Sequence, residues 1–536
     1  MTEGVNIPKD AVLPSAEKPQ EGAPSSRGGA SEPRRASEPR RANEFQHASE
    51  PRRASSARRL PEEGLRPERS AQRDGLPKRE RVKVLAIMVS GTTAACISQS
   101  MMIAALPTIM HEYAVDASLG QLLTTGYIFT LGLISAMTAY LMNRVNSKKL
   151  FLAAMGCFVI GCAAALVAPN YLLLLAARLL QAGGAGIALP LIQLVALNVY
   201  PKSQYGRAMS IVGLIIGFAP ALGPTISGFL IDLWGWRSVF VVLGAITLVV
   251  MAATALFLDD VVRRPEAHEH FDPASALLYT TGFVAVMAGT TALMSKDASN
   301  LAALVPCAAG FIALVVFVRR ELRVPNPLLK LSCFRDRTFT VSTLMVVLSH
   351  IMFMAPSIMV PLFVQDIQGQ SATVSGLTIL PGAIMTGVMN PVTGRYLDRH
   401  GPFPLLAMGG LLVFAGTVAF AVIDASVPEW IVTVIYGVRA TGIACIMMPM
   451  TAHACSTLAE EDLAQATAII TSARQLIGSL SSSVLIAVMA LAAANDLGVD
   501  LFGFHVSFWA QAAVCAVGIG IGMALLPRKH GKASRK

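Results

Sequence analysis

The feature that most restricts the fold of this chain is a series of apolar runs, each long enough to cross a lipid bilayer. A transmembrane helix needs roughly 20 mainly apolar residues, and from Val82 onward we count fourteen such runs. The composition agrees, because 54% of the residues are hydrophobic and only 14% are charged. Values of this kind exclude a soluble globular protein. The sequence therefore predicts an all-α polytopic membrane protein.

Lys and Arg are concentrated in every second loop between the predicted spans. Cytoplasmic loops of membrane proteins carry an excess of these residues, and the even-numbered loops hold most of them here, whereas the odd-numbered loops offer little beyond Arg237 and Lys296. This alternation predicts a cell-membrane protein with both termini in the cytoplasm. It also supports the count of spans, because one missed or surplus helix would break the alternation.

Residues 1–80 have a different composition. Between Ala30 and Arg59 a hexapeptide of the type ASEPRR recurs, with few apolar residues and frequent proline. Such a segment cannot bury enough surface to offset its ordering entropy, so we expect a disordered cytoplasmic tail. It is either an arm for anionic lipid, with RRAS segments as kinase-type sites, or a plain solvated tail, or the product of a start site placed too far upstream.

No motif indicates an enzyme or a cofactor. The eight cysteines show neither CxxC nor the Cys/His spacing of a metal site. A phosphate-binding Gly-Lys-Ser/Thr loop, a Gly-x-Ser-x-Gly elbow and a His-Glu-x-x-His helix are also missing. We therefore expect no catalytic residue, no bound metal or cofactor, no ATP-driven pumping and no nucleic-acid partner.

The fifth run is rich in residues that disfavour helices. Within lipid such residues are tolerated where neighbouring helices or cavity water satisfy the freed backbone groups, and small residues allow two helices to approach closely. We therefore predict a kinked, tightly packed fifth helix. The residues are Gly213, Gly217, Pro220, Gly223, Pro224 and Gly228.

These residues resemble the fifth-helix antiporter motif of the major facilitator superfamily, specifically of its fourteen-span drug:proton antiporters. Ser227 stands where the motif usually has another Gly, and the stretch LPGAIMTGVMNPVTGR favours the lincomycin-resistance and multidrug efflux branch. The resemblance covers about residues 84–527. The motif positions are Gly217, Pro220, Gly223, Pro224 and Gly228, together with Arg178, Gln181, Gly183 and Gly186 in the fourth span.

The resemblance implies two six-helix halves, at residues 81–260 and 336–527, with two inserted spans in a linker at 261–335 and a basic tail at 528–536. It also implies a monomer that exports amphiphilic, lincosamide-like drugs in exchange for protons by alternating access. Small-molecule substrate, protons and membrane lipid would be its partners, and the proton gradient its energy source. An exporter of an endogenous metabolite and a non-transporting sensor on the same scaffold are the alternatives.

Two loops, after the second and the tenth span, repeat one pattern at corresponding positions of the two halves. The second copy contains Gly394, Arg395, Asp398 and Arg399. The first copy keeps Arg144 but has Asn143 in place of an Asp. A carboxylate there can accept hydrogen bonds from a neighbouring helix start, so we expect Asp398 to hold the cytoplasmic side shut. The charge rule for cytoplasmic loops explains the arginines equally well, but not the paired spacing.

Ionisable residues inside spans are costly and are therefore candidates for function. The acid that related antiporters carry in the first span is replaced by Ser98, and the other carboxylates lie at the edges of the runs. Three interior ionisable residues stand out: Arg178, His350 and Arg439. The resemblance implicates Arg178 in proton transfer. His350 is the second candidate because histidine titrates near neutrality, although a neutral structural histidine fits as well.

Gln99, Gln181 and Arg439 are the candidates for lining the substrate cavity. Arg439 has no interior acid as partner, so backbone carbonyls, cavity water or a negative group of the substrate would hold it. A cavity with arginines but no acids is poorly suited to lipophilic cations. We therefore expect neutral, weakly basic or anionic amphiphiles to be preferred over quaternary ammonium dyes.

Overall fold

The computed structural model describes residues 77–115, 117–258, 272–293, 300–325, 327–492 and 500–526. Within these ranges the chain folds into fourteen helices of 20 residues or more, and contains no strand. The predicted N-terminal tail up to residue 76 and the basic tail at 528–536 lie outside the described residues. The helices are α1 (Lys78–Tyr113), α2 (Ala117–Arg144), α3 (Ser147–Leu166), α4 (Tyr171–Val199), α5 (Tyr205–Trp234), α6 (Ser238–Phe257), α7 (Pro273–Leu293), α8 (Asn300–Glu321), α9 (Arg337–Leu362), α10 (Ala372–His400), α11 (Pro402–Ala421), α12 (Glu429–Ser456), α13 (Leu463–Ala492) and α14 (Leu501–Leu525).

Long apolar helices are the expected solution for a chain in lipid, because a helix satisfies its backbone hydrogen bonds within one segment. Ten of the helices in the described part of the chain are long and apolar enough to cross a membrane. The other four are α5, α7, α8 and α10. The prediction of an all-α polytopic membrane protein is confirmed.

Polar residues at the loops fix several of the helix starts. Asn170 accepts a hydrogen bond of 2.9 Å from Leu173 N at the start of α4, and Asp336 accepts one of 2.7 Å from Phe339 N at the start of α9. Asp500 does the same for α14, with 2.7 Å to Gly503 N. Each cap satisfies one of the N–H groups that a helix start leaves unpaired.

The helices form two groups that pack mainly within themselves. One consists of α1 to α6, with α3 against α4 and α1 against α5; the other consists of α9 to α14, with α12 contacting α9, α10 and α11. We call them the N-terminal and the C-terminal group. They meet where α5 contacts α10, the first seam, and where α2 contacts α13, the second seam. Helices α7 and α8 pack chiefly against each other.

Glycine allows the close approach at the first seam. A Cβ atom on Gly206 would overlap the carbonyl oxygen of Gly394, and a Cβ on Gly394 would overlap that of Gly206. Further along, a Cβ on Gly213 would lie 2.5 Å from Asn390 Oδ1, and Asn390 Nδ2 donates a hydrogen bond of 2.9 Å to Gly213 O. The backbones of α5 and α10 are therefore in direct contact over about two turns.

The other motif glycines of α5 face different neighbours. A Cβ on Gly217 would lie 3.0 Å from Gly387 N of α10, whereas one on Gly223 would overlap Ser100 of α1. Ser100 Oγ donates 2.8 Å to Ala219 O, which fastens α1 to α5. Gly228 has open space around its Cβ position. The motif thus packs α5 against both groups of helices, and α5 stays one continuous helix from Tyr205 to Trp234.

The second seam includes a contact from α7. Ser472 Oγ of α13 donates 2.7 Å to Gly132 O of α2, and the Tyr279 hydroxyl of α7 is hydrogen-bonded to the same Ser472 hydroxyl. Asp272, just before α7, accepts bonds of 2.9 and 3.0 Å from the Arg320 guanidinium of α8. The Asp272–Arg320 pair therefore joins α7 to α8, and Tyr279 connects α7 to the second seam.

Candidate functional site

Arg178 is fully buried inside the N-terminal group and has fixed partners there. Its Nη1 donates 2.8 Å to Ser98 Oγ of α1 and 2.6 Å to Gln181 Oε1 on its own helix, and its Nη2 lies 3.3 Å from Ser98 O. The guanidinium also lies over the Tyr127 ring of α2, 4.4 Å from its centroid. Ser98 therefore contacts Arg178 directly.

Gln181 belongs to this same buried cluster. Its amide nitrogen lies 3.5 Å from Cys162 Sγ of α3, and a Cβ on Gly161 would lie 2.6 Å from its side chain. Gln181 thus faces α3, and its role in the substrate cavity stays a prediction. Gln99 is half-buried on α1, beside Ser98.

His350 is 2% exposed in the middle of α9 and packs against α13. A Cβ atom on Gly478 would lie 2.5 Å from its Cδ2, and the Phe353 ring centroid is 5.9 Å away. Among the described residues neither ring nitrogen has a hydrogen-bond partner of ordinary geometry, although Gln475 of α13 lies nearby. The imidazole therefore sits in a tight, mostly apolar environment.

Arg439 is 2% exposed and lies within the C-terminal group. Its Nε donates 2.9 Å to Thr417 Oγ1 of α11, and its Nη2 donates 3.0 Å to Gln511 Oε1 of α14. A Cβ on Gly416 of α11 would lie 2.9 Å from its side chain. Arg439 therefore points toward α11 and α14 with protein acceptors already in place, and this position does not support the predicted contact with substrate.

Arg474 is a fourth interior ionisable residue, so the expectation of three was wrong. It is 2% exposed, eleven positions after the start of α13 at Leu463. The thirteenth apolar run contains this arginine. The argument that a charge inside a span is costly, and therefore a candidate for function, applies to it as well. Its closest polar contact is Met447 Sδ of α12, 3.9 Å from Nη1, and its Nε has no partner among the described residues.

Asp398 lies at the end of α10 and caps the start of α5. Its Oδ1 accepts 2.8 Å from Gly206 N, and its Oδ2 accepts 3.1 Å from Arg207 N. Burial raises the pKa of this carboxyl above its ordinary value, and the hydrogen bonds from the two amides act in the opposite direction. The expected contact of this carboxylate with a neighbouring helix start is present.

The remaining loop candidates differ in exposure. Gly394 is buried at the first seam, while Arg395 and Arg399 are exposed. In the first copy of the pattern Asn143 is buried, and Arg144 is exposed with its guanidinium 5.0 Å from the Tyr140 ring centroid. Only the second copy therefore presents a carboxylate to a helix start.

The ion pairs found within the described ranges all lie at helix ends. Arg237 Nη2 is 2.8 Å from Glu112 Oε1, Asp272 pairs with Arg320, and Lys330 Nζ is 2.5 Å from Asp462 Oδ1. The Arg237 guanidinium and the Trp236 indole lower the pKa of Glu112. In this part of the chain none of the four interior ionisable residues forms an ion pair.

The sequence model of the Major Facilitator Superfamily matches residues 88–482 of this chain. An uncharacterized MFS-type transporter of Bacillus subtilis, YcnB, is 33% identical over 451 residues, which cover 83% of this chain and 95% of that protein. The lincomycin resistance protein LmrB of the same organism is 29% identical over 416 residues, covering 77% and 86%. A multidrug resistance protein B homolog of Mycobacterium tuberculosis is 26% identical over 426 residues, covering 78% of each chain.

Solved structures share the fold at much lower identity. The proton:xylose symporter XylE, in a complex with a bromodeoxyglucose, superposes with a TM-score of 0.62 at 12% identity, covering 84% of this chain and 97% of that one. The human organic anion transporter MFSD10 gives a TM-score of 0.60 at 13% identity, covering 83% and 100%. At these identities the likeness shows the fold alone.

Proposed function

Because the chain belongs to the major facilitator superfamily, and is thus a multi-pass membrane transporter and not an enzyme, we propose that it exports amphiphilic drugs in exchange for protons. Lincosamide-like antibiotics are the first substrates we propose, because several relatives are named as lincomycin or multidrug resistance proteins. The proton gradient supplies the energy and no cofactor is needed. Export is proposed to follow alternating access across the cell membrane.

The arrangement of the first seam carries this proposal. Direct backbone contact at Gly206 and Gly394 leaves no room between α5 and α10, and Asp398 closes the same end with two hydrogen bonds. A few hydrogen bonds between otherwise rigid helices can be broken and remade as a unit. Alternating access requires a closure of this kind, tight in one state and released in the other.

The proposal includes a specific architecture. All fourteen helices cross the membrane. Helices α1 to α6, at residues 78–257, and α9 to α14, at residues 337–525, are the two halves, and α7 and α8 are inserted between them. Both termini lie in the cytoplasm, and the protein is a monomer. Asp398 and the first seam then lie at the cytoplasmic end.

The charge of the interior limits the substrate. The buried ionisable residues in the middle of the described helices are three arginines and one histidine, and the buried carboxylate among the described residues, Glu321, lies at the end of α8. A lipophilic cation would meet like charge in a medium of low dielectric constant, where repulsion is strong. We therefore propose that neutral, weakly basic or anionic amphiphiles are preferred over quaternary ammonium dyes.

Proton coupling without an interior acid has to use other groups. We propose Arg178 and His350 as the coupling residues. Arg178 is held by Ser98 and Tyr127, so its environment changes whenever α1 moves against α4. His350 is the one interior side chain whose ordinary pKa lies near neutrality, and its contact with Gly478 links it to the movement of α13.

The test uses purified protein in liposomes that contain a pH-sensitive dye. Adding lincomycin to wild-type protein is expected to start proton movement, and His350→Ala is expected to abolish it while the protein stays folded. His111→Ala, at an exposed position near the end of α1, is the matched control and should behave like wild type. Flux with an endogenous metabolite alone would favour a metabolite exporter. The absence of flux with any substrate of a broad panel would favour a sensor.

A further inference from the structure

The three buried arginines differ in how their charges are satisfied. Arg178 has its acceptors within the N-terminal group, and Arg439 has two within the C-terminal group. Arg474 has a thioether sulfur at 3.9 Å, and its Nε, like that of Arg178, has no partner among the described residues. Two of the three guanidiniums are therefore held by oxygen acceptors of the protein, and the third is not.

Arg474 also differs in where it lies. One turn earlier on α13, Thr471 Oγ1 accepts 2.9 Å from Gln193 Nε2 of α4, so this face of α13 looks toward the N-terminal group. Residues three apart share a helix face, which places Arg474 on the same side. Cys96 of α1 and His350 of α9 both lie within range of its charge. Arg474 thus sits between the two groups, where α1, α9, α12 and α13 converge.

A buried guanidinium without strong acceptors is costly. Removing a charge from water has a large penalty that only an opposite charge or good hydrogen bonds offset, and a thioether is a weak acceptor. The planar guanidinium matches a carboxylate with two parallel N–H···O bonds. A negatively charged ligand arriving between the two groups would supply the acceptors that the protein does not.

We propose that Arg474 is the anion-binding residue of the substrate site, and that it pairs with the carboxylate of an amphiphilic organic acid. The apolar part of the ligand lies against the Met447 side of α12 and the Cys96 side of α1. Because these helices belong to different groups, a bound ligand contacts both and senses their relative movement. This inference rests on the proposed function, which it narrows to one substrate class.

The experiment compares two probes that differ by one charge. Dansylglycine carries a carboxylate next to an apolar fluorophore, and its methyl ester is the neutral match. Both are titrated into purified protein, binding is followed by dansyl fluorescence, and uptake is measured in inside-out vesicles energised with a proton gradient. The variants are Arg474→Gln and Arg474→Lys, with Arg323→Gln in the exposed loop after α8 as the control.

Loss of a charge-assisted bidentate contact should weaken binding of dansylglycine by Arg474→Gln roughly tenfold or more. The ester should bind wild type and variant alike. Arg474→Lys keeps the charge but loses the two parallel N–H donors of the guanidinium, so its affinity for dansylglycine should lie between those of wild type and Arg474→Gln. Arg323→Gln should match wild type. Retention of wild-type ester binding shows that a variant is folded.

Several outcomes would overturn the inference. An equal loss of acid and ester in a folded Arg474→Gln protein would make the residue a structural one. Lincomycin-driven proton flux together with no dansylglycine binding by wild type would leave the proposed export function intact and remove the anion site. If instead lincomycin gives no flux while dansylglycine binds through Arg474, the anion site stands and the drug-efflux proposal fails.

Discussion

Asp398 Oδ1 accepts a 2.8 Å hydrogen bond from the backbone N–H of Gly206, and through this bond the end of α10 caps the start of α5. The second carboxylate oxygen bonds Arg207 N at 3.1 Å. A helix start carries a partial positive charge, so a carboxylate there is stabilised by hydrogen bonds and by the helix dipole together. One side chain thus joins the two groups of helices at the first seam.

Replacing Asp398 should loosen this end of the seam. Asp398→Ala removes the charge and both acceptors, while Asp398→Asn keeps one acceptor oxygen and should have a smaller effect. A partly buried carboxylate at a helix start is worth up to about 2 kcal/mol, which corresponds to a shift of roughly thirtyfold in the equilibrium between closed and open. The reporter is Ser210→Cys, at a buried position on α5. We expect maleimide to label this cysteine faster in the Asp398 variants than in the protein that keeps Asp398, after the labelling of the native cysteines is subtracted. Equal rates of labelling in the proteins with and without the Asp398→Ala substitution would contradict the role assigned to this carboxylate.

Two glycines of α5 should respond very differently to one added methyl group. In Gly206→Ala the Cβ would overlap the backbone carbonyl of Gly394, which has no side-chain freedom to move away, whereas Gly228→Ala meets open space. We expect Gly206→Ala to lose transport while Gly228→Ala retains it. Drug uptake into inside-out vesicles, normalised to folded protein, measures both. Comparable activity of the two variants would mean that α5 and α10 separate more easily than their contact indicates.

Ser98→Ala should destabilise the N-terminal group. It removes the 2.8 Å bond from Arg178 Nη1 and leaves a buried charged donor without that acceptor, at a cost of about 1.5–3 kcal/mol. The free energy of unfolding in mixed micelles is the measurement. The control is Ser90→Ala on the same helix, where the exposed hydroxyl bonds only Ala86 O within its own turn; its effect should stay within about 0.5 kcal/mol. Equal stability of both variants would show that Arg178 does not depend on Ser98.

The Asp272–Arg320 pair should give the stability a defined acid dependence. The hydrogen bonds from the Arg320 guanidinium lower the pKa of Asp272 from 3.8 to about 2. A depressed pKa stabilises the fold only while the carboxylate is ionised, so this contribution is complete above about pH 4 and is lost as the pH falls toward about 2. The difference in Tm between wild type and Asp272→Asn should be constant from pH 7 to 5 and should shrink as the pH falls from about 4 toward about 2.

Arg320→Gln should remove the same pH-dependent difference in Tm, because it deprives Asp272 of its partner. A difference that persists at pH 2 would instead point to the bonds that Asp272 forms with Ala274 N and the Ser275 hydroxyl.

Tyr279→Phe should weaken the attachment of α7 to the second seam. The variant loses the hydroxyl that bonds Ser472 but keeps the ring packing on Phe283 and Phe317, 5.0 and 5.1 Å between centroids. Backbone hydrogen exchange in α7 should become faster, and the control Tyr396→Phe, at an exposed position on α10, should leave it unchanged. Unchanged exchange in Tyr279→Phe would show that other contacts hold the α7–α8 pair.

The helices and their order could be predicted because lipid imposes one requirement on every span. The fifth run was expected to pack closely, and its residues Gly213 and Gly217 do pack against α10. Asp398 could be identified because two loops share a pattern and only one keeps the acid. These features depend on spacing along the chain, which a sequence displays directly.

The direction in which an interior side chain points could not be predicted. A helix inside a bundle is apolar on most faces, so the sequence gives the depth of Arg439 but not the neighbour it faces, and its acceptors Thr417 and Gln511 come from helices 22 and 72 residues away in the chain. The same holds for Gln181, whose contact with Cys162 of α3 could not be read from its position in the chain. Arg474 was overlooked although the argument from the cost of burying a charge applies to it as it does to Arg178.

Three buried guanidiniums that form no ion pair among the described residues lead us to expect that this molecule also responds to voltage. Arginine stays protonated at neutral pH, so Arg178, Arg439 and Arg474 are permanent charges inside the layer across which the membrane potential falls. Moving one elementary charge through the whole field is worth about 2.3 kcal/mol per 100 mV, and a tilt of α12 and α13 would carry two of them through part of it. The electrical gradient would then act on the conformational equilibrium itself, separately from any proton that is moved.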